Sequence, residues 1–179
     1  MIKKNKIIRS KAPLRIGIGG GGTDLDSYCN YYTGLVLNAT ISKYAHCTIH
    51  EIDQNKVIFE SKDLNQKQEL DSKVFFKLNG KMDLYKAVYN RIIKDNKLKS
   101  LKIKLTTFSE IPSSSGLGGS STIVVTMIKA YDTFLNLKLS KQQIAKMAFE
   151  IEREDVGIIG GAQDQYTASF GGINFMTFH

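Results

Sequence analysis

A serine and glycine segment at residues 112–122, PSSSGLGGSST, leads directly into an apolar helical pattern that begins at Ile123. Glycines let the backbone approach a phosphate closely, and the free N–H groups and positive dipole at a helix start attract its charge. The hydroxyls of Ser120 and Ser121 can donate to phosphate oxygens or coordinate Mg²⁺. A flexible linker seldom opens straight into a patterned helix, and no lysine follows the glycines as in a Walker loop. The segment therefore predicts a phosphate-binding loop.

A second glycine-rich segment follows a predicted strand and has the spacing of a dinucleotide-binding motif. Gly17, Gly19 and Gly22 match G-x-G-x-x-G. Such a motif also needs an acidic residue about 20 positions later for the ribose hydroxyl. After Asp26 the next carboxylate is Glu51, and the glycines are followed by Thr-Asp-Leu-Asp rather than by an apolar helix start. We therefore reject a dinucleotide-binding fold for this segment.

A third segment combines glycines with carboxylates. Asp164 lies just after Gly160 and Gly161, where a carboxylate can cap a helix or act as a base. Four more carboxylates crowd the end of a predicted helix upstream: Glu150, Glu152, Glu154 and Asp155. Negative charge at a helix C-terminus is unfavourable unless solvent or a cation offsets it. One of these four is therefore a predicted Mg²⁺ ligand.

The elements that must position these residues follow an α+β pattern. Apolar and β-branched runs predict strands at residues 7–18, 35–41, 44–52, 57–60 and 101–107, with a hairpin turn at 53–55. Apolar stripes at helical spacing predict helices at 82–95 and 123–135, and a third helix that begins at a capping box formed by Ser140 and Gln143. Residues 171–178 are again typical of a strand. Strands that come first and helices that are interleaved later predict an α+β domain.

The composition is that of an ordinary globular chain, with 179 residues of which 42% are hydrophobic and 23% charged. It excludes collagen-like, coiled-coil and disordered proteins. The net charge is +8, and residues 1–110 hold 20 of the 25 basic and 11 of the 17 acidic side chains. The lysines are scattered without interleaved aromatic residues, which favours a solvated face over a nucleic-acid site. A basic module that binds RNA or a protein partner is the alternative.

The N-terminal segment also bears on location in the cell. Residues 1–11 are basic but lack the apolar stretch and cleavage site of a secretory signal. No apolar run approaches the ~18–20 residues that span a bilayer. We therefore predict a cytoplasmic protein with neither a membrane nor a nucleic-acid partner.

Four segments together resemble the GHMP kinases, named for galactokinase, homoserine kinase, mevalonate kinase and phosphomevalonate kinase. They are residues 12–15 (APLR), 20–24 (GGGTD), 112–122 and 164–166 (DQY), in the family's order and spacing, and the sugar 1-kinase branch is the most similar. The resemblance implies that residues 1–179 form the N-terminal ATP-binding and catalytic domain, a mixed β-sheet with helices packed on one side. It implies a nucleotide in a cleft against a C-terminal domain that is absent from this chain. Because the strand pattern runs to the last residue, we expect that part of a longer protein is missing.

The resemblance also implies roles for individual residues. Asp164 and Arg15 would be catalytic, and Ser120 and Glu152 would coordinate Mg²⁺. The predicted ATP-binding residues are Ser113, Ser114, Ser115, Gly116, Leu117, Gly118, Gly119, Ser120 and Ser121. The predicted sugar-binding residues are Gly20, Gly21, Gly22, Thr23 and Asp24. ATP and Mg²⁺ are thus the expected cofactors, and a sugar phosphate the expected small-molecule partner.

Departures from the family pattern refine the expected substrate. Galactokinases have Glu-His where this chain has Gly21 and Gly22, and a serine is usual at the position of Gly119. The loss of two bulky polar side chains widens the sugar end of the pocket, which suits a larger, phosphorylated sugar. The expected reaction is transfer of the ATP γ-phosphoryl group to the anomeric hydroxyl of that sugar. Fucose and galactose are the alternative substrates.

Overall fold

The structure is a computed structural model that describes residues 5–179; residues 1–4, the start of the basic N-terminal segment, lie outside it. Its strands and helices follow in the order β1 (Ile7–Gly19), α1 (Asp26–Cys29), β2 (Gly34–Glu51), β3 (Lys56–Ser61), β4 (Gln66–Asp71), α2 (Asp83–Asp95), β5 (Ile103–Ser109), α3 (Gly119–Leu135), α4 (Lys141–Glu150), α5 (Gln163–Phe170) and β6 (Ile173–Phe178). A π-helical turn, Ile151–Asp155, continues α4. The predicted α+β class is confirmed.

The strands form one mixed sheet around the long strand β2. Strand β1 pairs with β2 on one side, while β6 and β5 pair with its first and second halves on the other. All neighbours are antiparallel except β3, which runs parallel to β5 and carries β4 at the edge. The residues of the candidate site lie where β1, α3 and α5 meet.

The prediction of two strands at 35–41 and 44–52 was wrong, because β2 is continuous. The buried positions of β2 are Gly34, Val36 and Asn38 in its first half, and Ala45, Cys47 and Ile49 in its second. The buried face of β2 thus changes from even-numbered to odd-numbered residues. The pairing of β1 with β2 has a register shift at the same level. An irregularity of this kind breaks the period-2 pattern without ending the strand.

The predicted hairpin turn at 53–55 was also wrong. Strands β2 and β3 do not pair with each other, because β5 lies between them. The edge strand β4, QKQELD, was not predicted, since it is polar along most of its length. Both errors concern strand pairing, which local turn chemistry does not determine.

The helices pack on one side of the sheet, as predicted, with α3 and α5 against β1 and β2, and α2 against α3. The core between them contains fully buried side chains from both layers, including Phe59, Leu105, Tyr89, Ile92 and Ile128. The capping box of α4 is confirmed: Ser140 Oγ accepts from the Gln143 N–H, and Gln143 Oε1 accepts from the Ser140 N–H. No helix within residues 5–179 has the length and apolarity needed to cross a bilayer.

Candidate active site

The predicted phosphate loop lines a concave pocket. The pocket has a volume of about 410 Å³. All of the predicted ATP-binding residues 113–121 except Leu117 line it, and Leu117 instead accepts a backbone hydrogen bond from Arg15 N at 3.2 Å. Helix α3 begins at Gly119, directly after Gly118 in a left-handed conformation, so its first N–H groups lie at the pocket. The arrangement is that of an anion site at a helix start.

The rest of the pocket lining is largely apolar. It consists of Leu64, Leu84, Tyr85, Ile111 and Ile123, with Ser61, Asp63 and Ser109 among them. A concave apolar pocket with a few convergent polar groups is typical of small-molecule sites, and the volume is within the usual ~300–1,000 Å³. The lining thus combines an apolar surface with the predicted phosphate loop.

Arg15 and Asp164 form an ion pair at one end of the loop. Arg15 Nε donates to Asp164 Oδ1 at 2.7 Å, and Nη2 lies 2.6 Å from the same oxygen. Arg15 Nη1 also donates to the Gly116 carbonyl at 2.9 Å, so the guanidinium connects the carboxylate to the loop. Asp164 lies in the first turn of α5 and lines the pocket. The structure thus brings together the two residues predicted to be catalytic.

Glu152 lies behind the loop rather than in the pocket. The π-helical turn points its carboxylate inward, where the residue is 1% exposed. Glu152 accepts hydrogen bonds from Ser121 Oγ at 3.1 Å and from Gln165 Nε2. Burial raises the pKa of this carboxyl group above its ordinary value. No lysine or arginine forms an ion pair with it within residues 5–179.

A buried carboxylate without an ion pair suits a nearby cation, and this chemistry fits Mg²⁺. Mg²⁺ prefers oxygen ligands, and it usually combines one or two carboxylates with water and substrate phosphates. Among residues 5–179 there is no group of three or more His, Cys, Asp or Glu side chains placed to hold a metal by themselves. Glu152 with a serine hydroxyl would therefore share the ion with bound phosphates.

The structure does not bring Ser120 and Glu152 into hydrogen-bond contact. Ser120 is exposed in the pocket, whereas the buried Ser121 makes the contact with Glu152. Gln165 completes this cluster and was not singled out from the sequence. The available signal was its position directly after Asp164 in a helix. Consecutive helical residues point to different faces, so Gln165 cannot point into the pocket together with Asp164.

The residues predicted to bind sugar lie beside the start of α5. Asp24 is 4% exposed, and its two carboxylate oxygens accept from Gln163 N and Gln163 Nε2, both at 3.0 Å. Gly161 packs against it so closely that an added Cβ would lie 2.0 Å from Asp24 Oδ2. Asp24 therefore anchors the helix that carries Asp164, and its role toward sugar stays a prediction.

The glycines at 20–22 form a turn that is tied to β2. Thr23 Oγ1 lies 2.8 Å from the Gly20 carbonyl oxygen and 3.0 Å from that of Leu35, and it accepts from Leu35 N at 3.0 Å. Gly21 and Gly22 are exposed and carry no side chain into the space beside Asp24. The open sugar end expected from these glycines is thus compatible with the turn.

Fold and site together define an α+β domain with a glycine-rich loop and a pocket at a helix start, and comparison with known proteins assigns it to a family. Residues 83–172 match the family described as GHMP kinases N terminal domain. The chain belongs to this family.

Individual relatives give a finer picture. The chain is 57% identical over 174 residues to D-glycero-alpha-D-manno-heptose 7-phosphate kinase of Campylobacter jejuni, an alignment that covers 97% of this chain and 51% of that protein. It is 31% identical to a galactokinase of Thermotoga neapolitana, over 92% of this chain and 44% of the relative. The solved structure of a D-glycero-D-manno-heptose 1-phosphate kinase from Bacteroides thetaiotaomicron superposes with a TM-score of 0.91 at 45% identity, over 96% of this chain and 56% of the other. The chain thus spans about half the length of the relatives it matches.

Proposed function

We propose that this chain supplies the ATP-binding and catalytic half of a kinase that phosphorylates the anomeric C1 hydroxyl of D-glycero-D-manno-heptose 7-phosphate to the 1,7-bisphosphate. The observation that carries the proposal is the convergence of the Arg15–Asp164 pair with the 112–122 loop at one pocket. The name of the 57% identical relative supports the sugar. The reaction belongs to the nucleotide-activated heptose route to surface polysaccharide, in the cytoplasm.

Phosphoryl transfer depends mainly on positioning and on stabilising charge. In this proposal the backbone N–H groups of residues 116–121 hold the β- and γ-phosphates, next to the start of α3. Asp164 accepts or orients the proton of the sugar hydroxyl, because its carboxylate lines the pocket and is connected to the loop through Arg15. Arg15 holds Asp164 and offsets the negative charge that develops during transfer.

Mg²⁺ would neutralise phosphate charge when bound, and Ser120 and Glu152 are the ligands proposed for it. Glu152 reaches the pocket wall through Ser121, which lines the pocket and touches its carboxylate. The sugar is proposed to occupy the end near Gly20, Gly21, Gly22, Thr23 and Asp24. Residues 1–179 would then be one wall of a cleft, with a C-terminal domain of the full-length protein as the other.

A kinase assay of the full-length protein against a panel of sugars tests the substrate. The panel contains heptose 7-phosphate, heptose 1-phosphate, fucose and galactose, because the two heptose kinase relatives differ in the phosphate position in their names and a third relative is a galactokinase. We expect turnover with heptose 7-phosphate and a product phosphorylated at C1. Preferred turnover of galactose or fucose would keep the kinase and replace the sugar.

The two-domain proposal has a separate test. The isolated 179-residue chain should bind ATP weakly and turn over poorly, since it lacks the second wall of the cleft. Robust activity of the isolated chain would contradict this part of the proposal. Salt-sensitive RNA binding without any effect of nucleotide would favour the basic binding module instead.

A further inference from the structure

Arg91 of α2 forms a three-point clamp on the carboxylates at the end of α4. Its Nε and Nη2 donate to the two oxygens of Asp155 at 3.0 and 2.8 Å, and its Nη1 donates to Glu150 Oε2 at 2.9 Å. The Arg91 side chain is only 16% exposed. The clamp supplies the positive charge that a cluster of carboxylates at a helix C-terminus requires.

The two carboxylates that Arg91 holds lie at opposite ends of the π-helical turn. Within that turn Val156 N donates to the Ile151 carbonyl at 3.0 Å, and Ile158 N donates to the Glu152 carbonyl at 2.8 Å. π-Helical turns are rare and often occur at functional sites. The residue that this turn carries inward is Glu152.

Glu152 in turn connects two helices of the active site. Its carboxylate binds Ser121 in the first turns of α3 and Gln165, the neighbour of Asp164, in α5. Gln165 also donates to Ser121 Oγ at 3.1 Å, so the three side chains form a closed cluster. The position of the turn therefore fixes the distance between the phosphate-binding helix and the helix of the catalytic carboxylate.

We propose that Arg91 is a positioning residue that acts through Glu152 on the binding of the Mg²⁺–nucleotide complex. This inference rests on the proposed function. Arg91 does not line the pocket. By holding Glu150 and Asp155 it keeps the π-helical turn in register, and the turn keeps the Glu152 carboxylate against Ser121 at the pocket wall. Partners outside the direct ligands of a metal commonly change its affinity ~10–100-fold when they are removed.

The experiment measures the Mg²⁺ concentration that gives half-maximal binding of a fluorescent N-methylanthraniloyl ATP to the full-length protein. For Arg91→Met we expect this concentration to rise about tenfold. For Arg91→Lys we expect a smaller rise. The ammonium keeps the positive charge, but it cannot form the two parallel bonds to Asp155. Lys146→Met is the matched control, because Lys146 lies 3.8 Å from the same Glu150 but is 71% exposed and outside the clamp. It should leave the titration unchanged.

A double-mutant cycle with Glu152→Gln separates positioning from simple stabilisation. If Arg91 acts through Glu152, Arg91→Met produces no further shift in the Glu152→Gln background. A lowered unfolding midpoint with an unchanged Mg²⁺ titration, or an undiminished shift in that background, overturns the inference. Asp155→Asn, which removes the charge and one of the two acceptor oxygens from the bidentate half of the clamp, repeats the test should Arg91→Met not fold. A wild-type protein that binds no nucleotide at any Mg²⁺ concentration would instead refute the proposed function itself.

Discussion

Asp164 and Glu152 are two carboxylates of one site in opposite surroundings. The Asp164 side chain is 22% exposed, pairs with the Arg15 guanidinium and lines the pocket. Glu152 is 1% exposed and is bound by two neutral side chains. An exposed, ion-paired carboxylate can meet a substrate without loss of buried hydrogen bonds, whereas a buried one is fixed by its partners. The first is therefore placed to meet a substrate, and the second to hold α3 and α5 together.

The largest expected effect is on Asp164. Asp164→Asn should retain ATP binding but lower kcat by about 10²–10⁴-fold, because the amide cannot accept the sugar proton. Steady-state kinetics and an ATP-binding titration of the full-length protein measure both quantities. The control is Asp53→Asn, an exposed aspartate in the turn between β2 and β3, which should change neither. Near-normal turnover of Asp164→Asn would remove the base assignment.

The next prediction concerns the packing of Gly161 against Asp24, the residue that anchors the helix of Asp164. Gly161→Ala should lower the free energy of unfolding by about 1–3 kcal/mol, because its methyl group would overlap the Asp24 carboxylate. Urea denaturation measures the change. Gly21→Ala is the matched substitution, since no atom lies within 4 Å of the added Cβ. Equal stability of the two variants would show that the Asp24 contact does not hold α5.

Substitutions of Ser120 and Ser121 test which of the two serines is the proposed metal ligand. Ser120→Ala should raise the Mg²⁺ requirement of the kinase, as the family resemblance implies, by about tenfold. Ser121→Ala removes the hydroxyl that contacts Glu152. Mg²⁺ titrations of both variants compare them directly. An unchanged titration for Ser120→Ala together with a shift for Ser121→Ala would transfer the role to Ser121.

The smallest expected effect is on the pH dependence of stability in EDTA. Burial raises the pKa of Glu152 above its ordinary value of 4.5, so the folded state loses stability as the pH rises from there through the raised pKa. Glu152→Gln removes this loss. The variant should therefore gain in unfolding midpoint relative to wild type as the pH rises above 4.5. A difference that does not vary with pH would show that ionisation of Glu152 costs nothing in the fold.

Local signals predicted the local parts of the molecule well. The Ser140 capping box, the helices α2 and α3 and the loop before α3 all follow from residues within one or two turns of each other. The fold class followed from the order of these elements. The family resemblance supplied the pairing of Arg15 with Asp164, which lie 149 residues apart and which periodicity alone does not connect.

Other contacts had no local signal. The insertion of β5 between β2 and β3 depends on which strand edges are free after the chain collapses. The clamp of Arg91 on Asp155 joins residues 64 positions apart, and the contact of Ser121 with Glu152 joins residues 31 positions apart. Four carboxylates near one helix end predicted a Mg²⁺ ligand among them, and two of the four are held by an arginine, Arg91.

The sequence by itself determined most of the elements, the glycine-rich loop before α3 and the residue types available for chemistry, because backbone propensity, capping and glycine geometry act over a few residues. Only the tertiary structure decided that Asp24 anchors α5, that Ser121 rather than Ser120 touches Glu152, and that Arg91 holds the π-helical turn. These choices depend on which distant side chains share one buried volume, and packing of the sheet against its helices sets that volume.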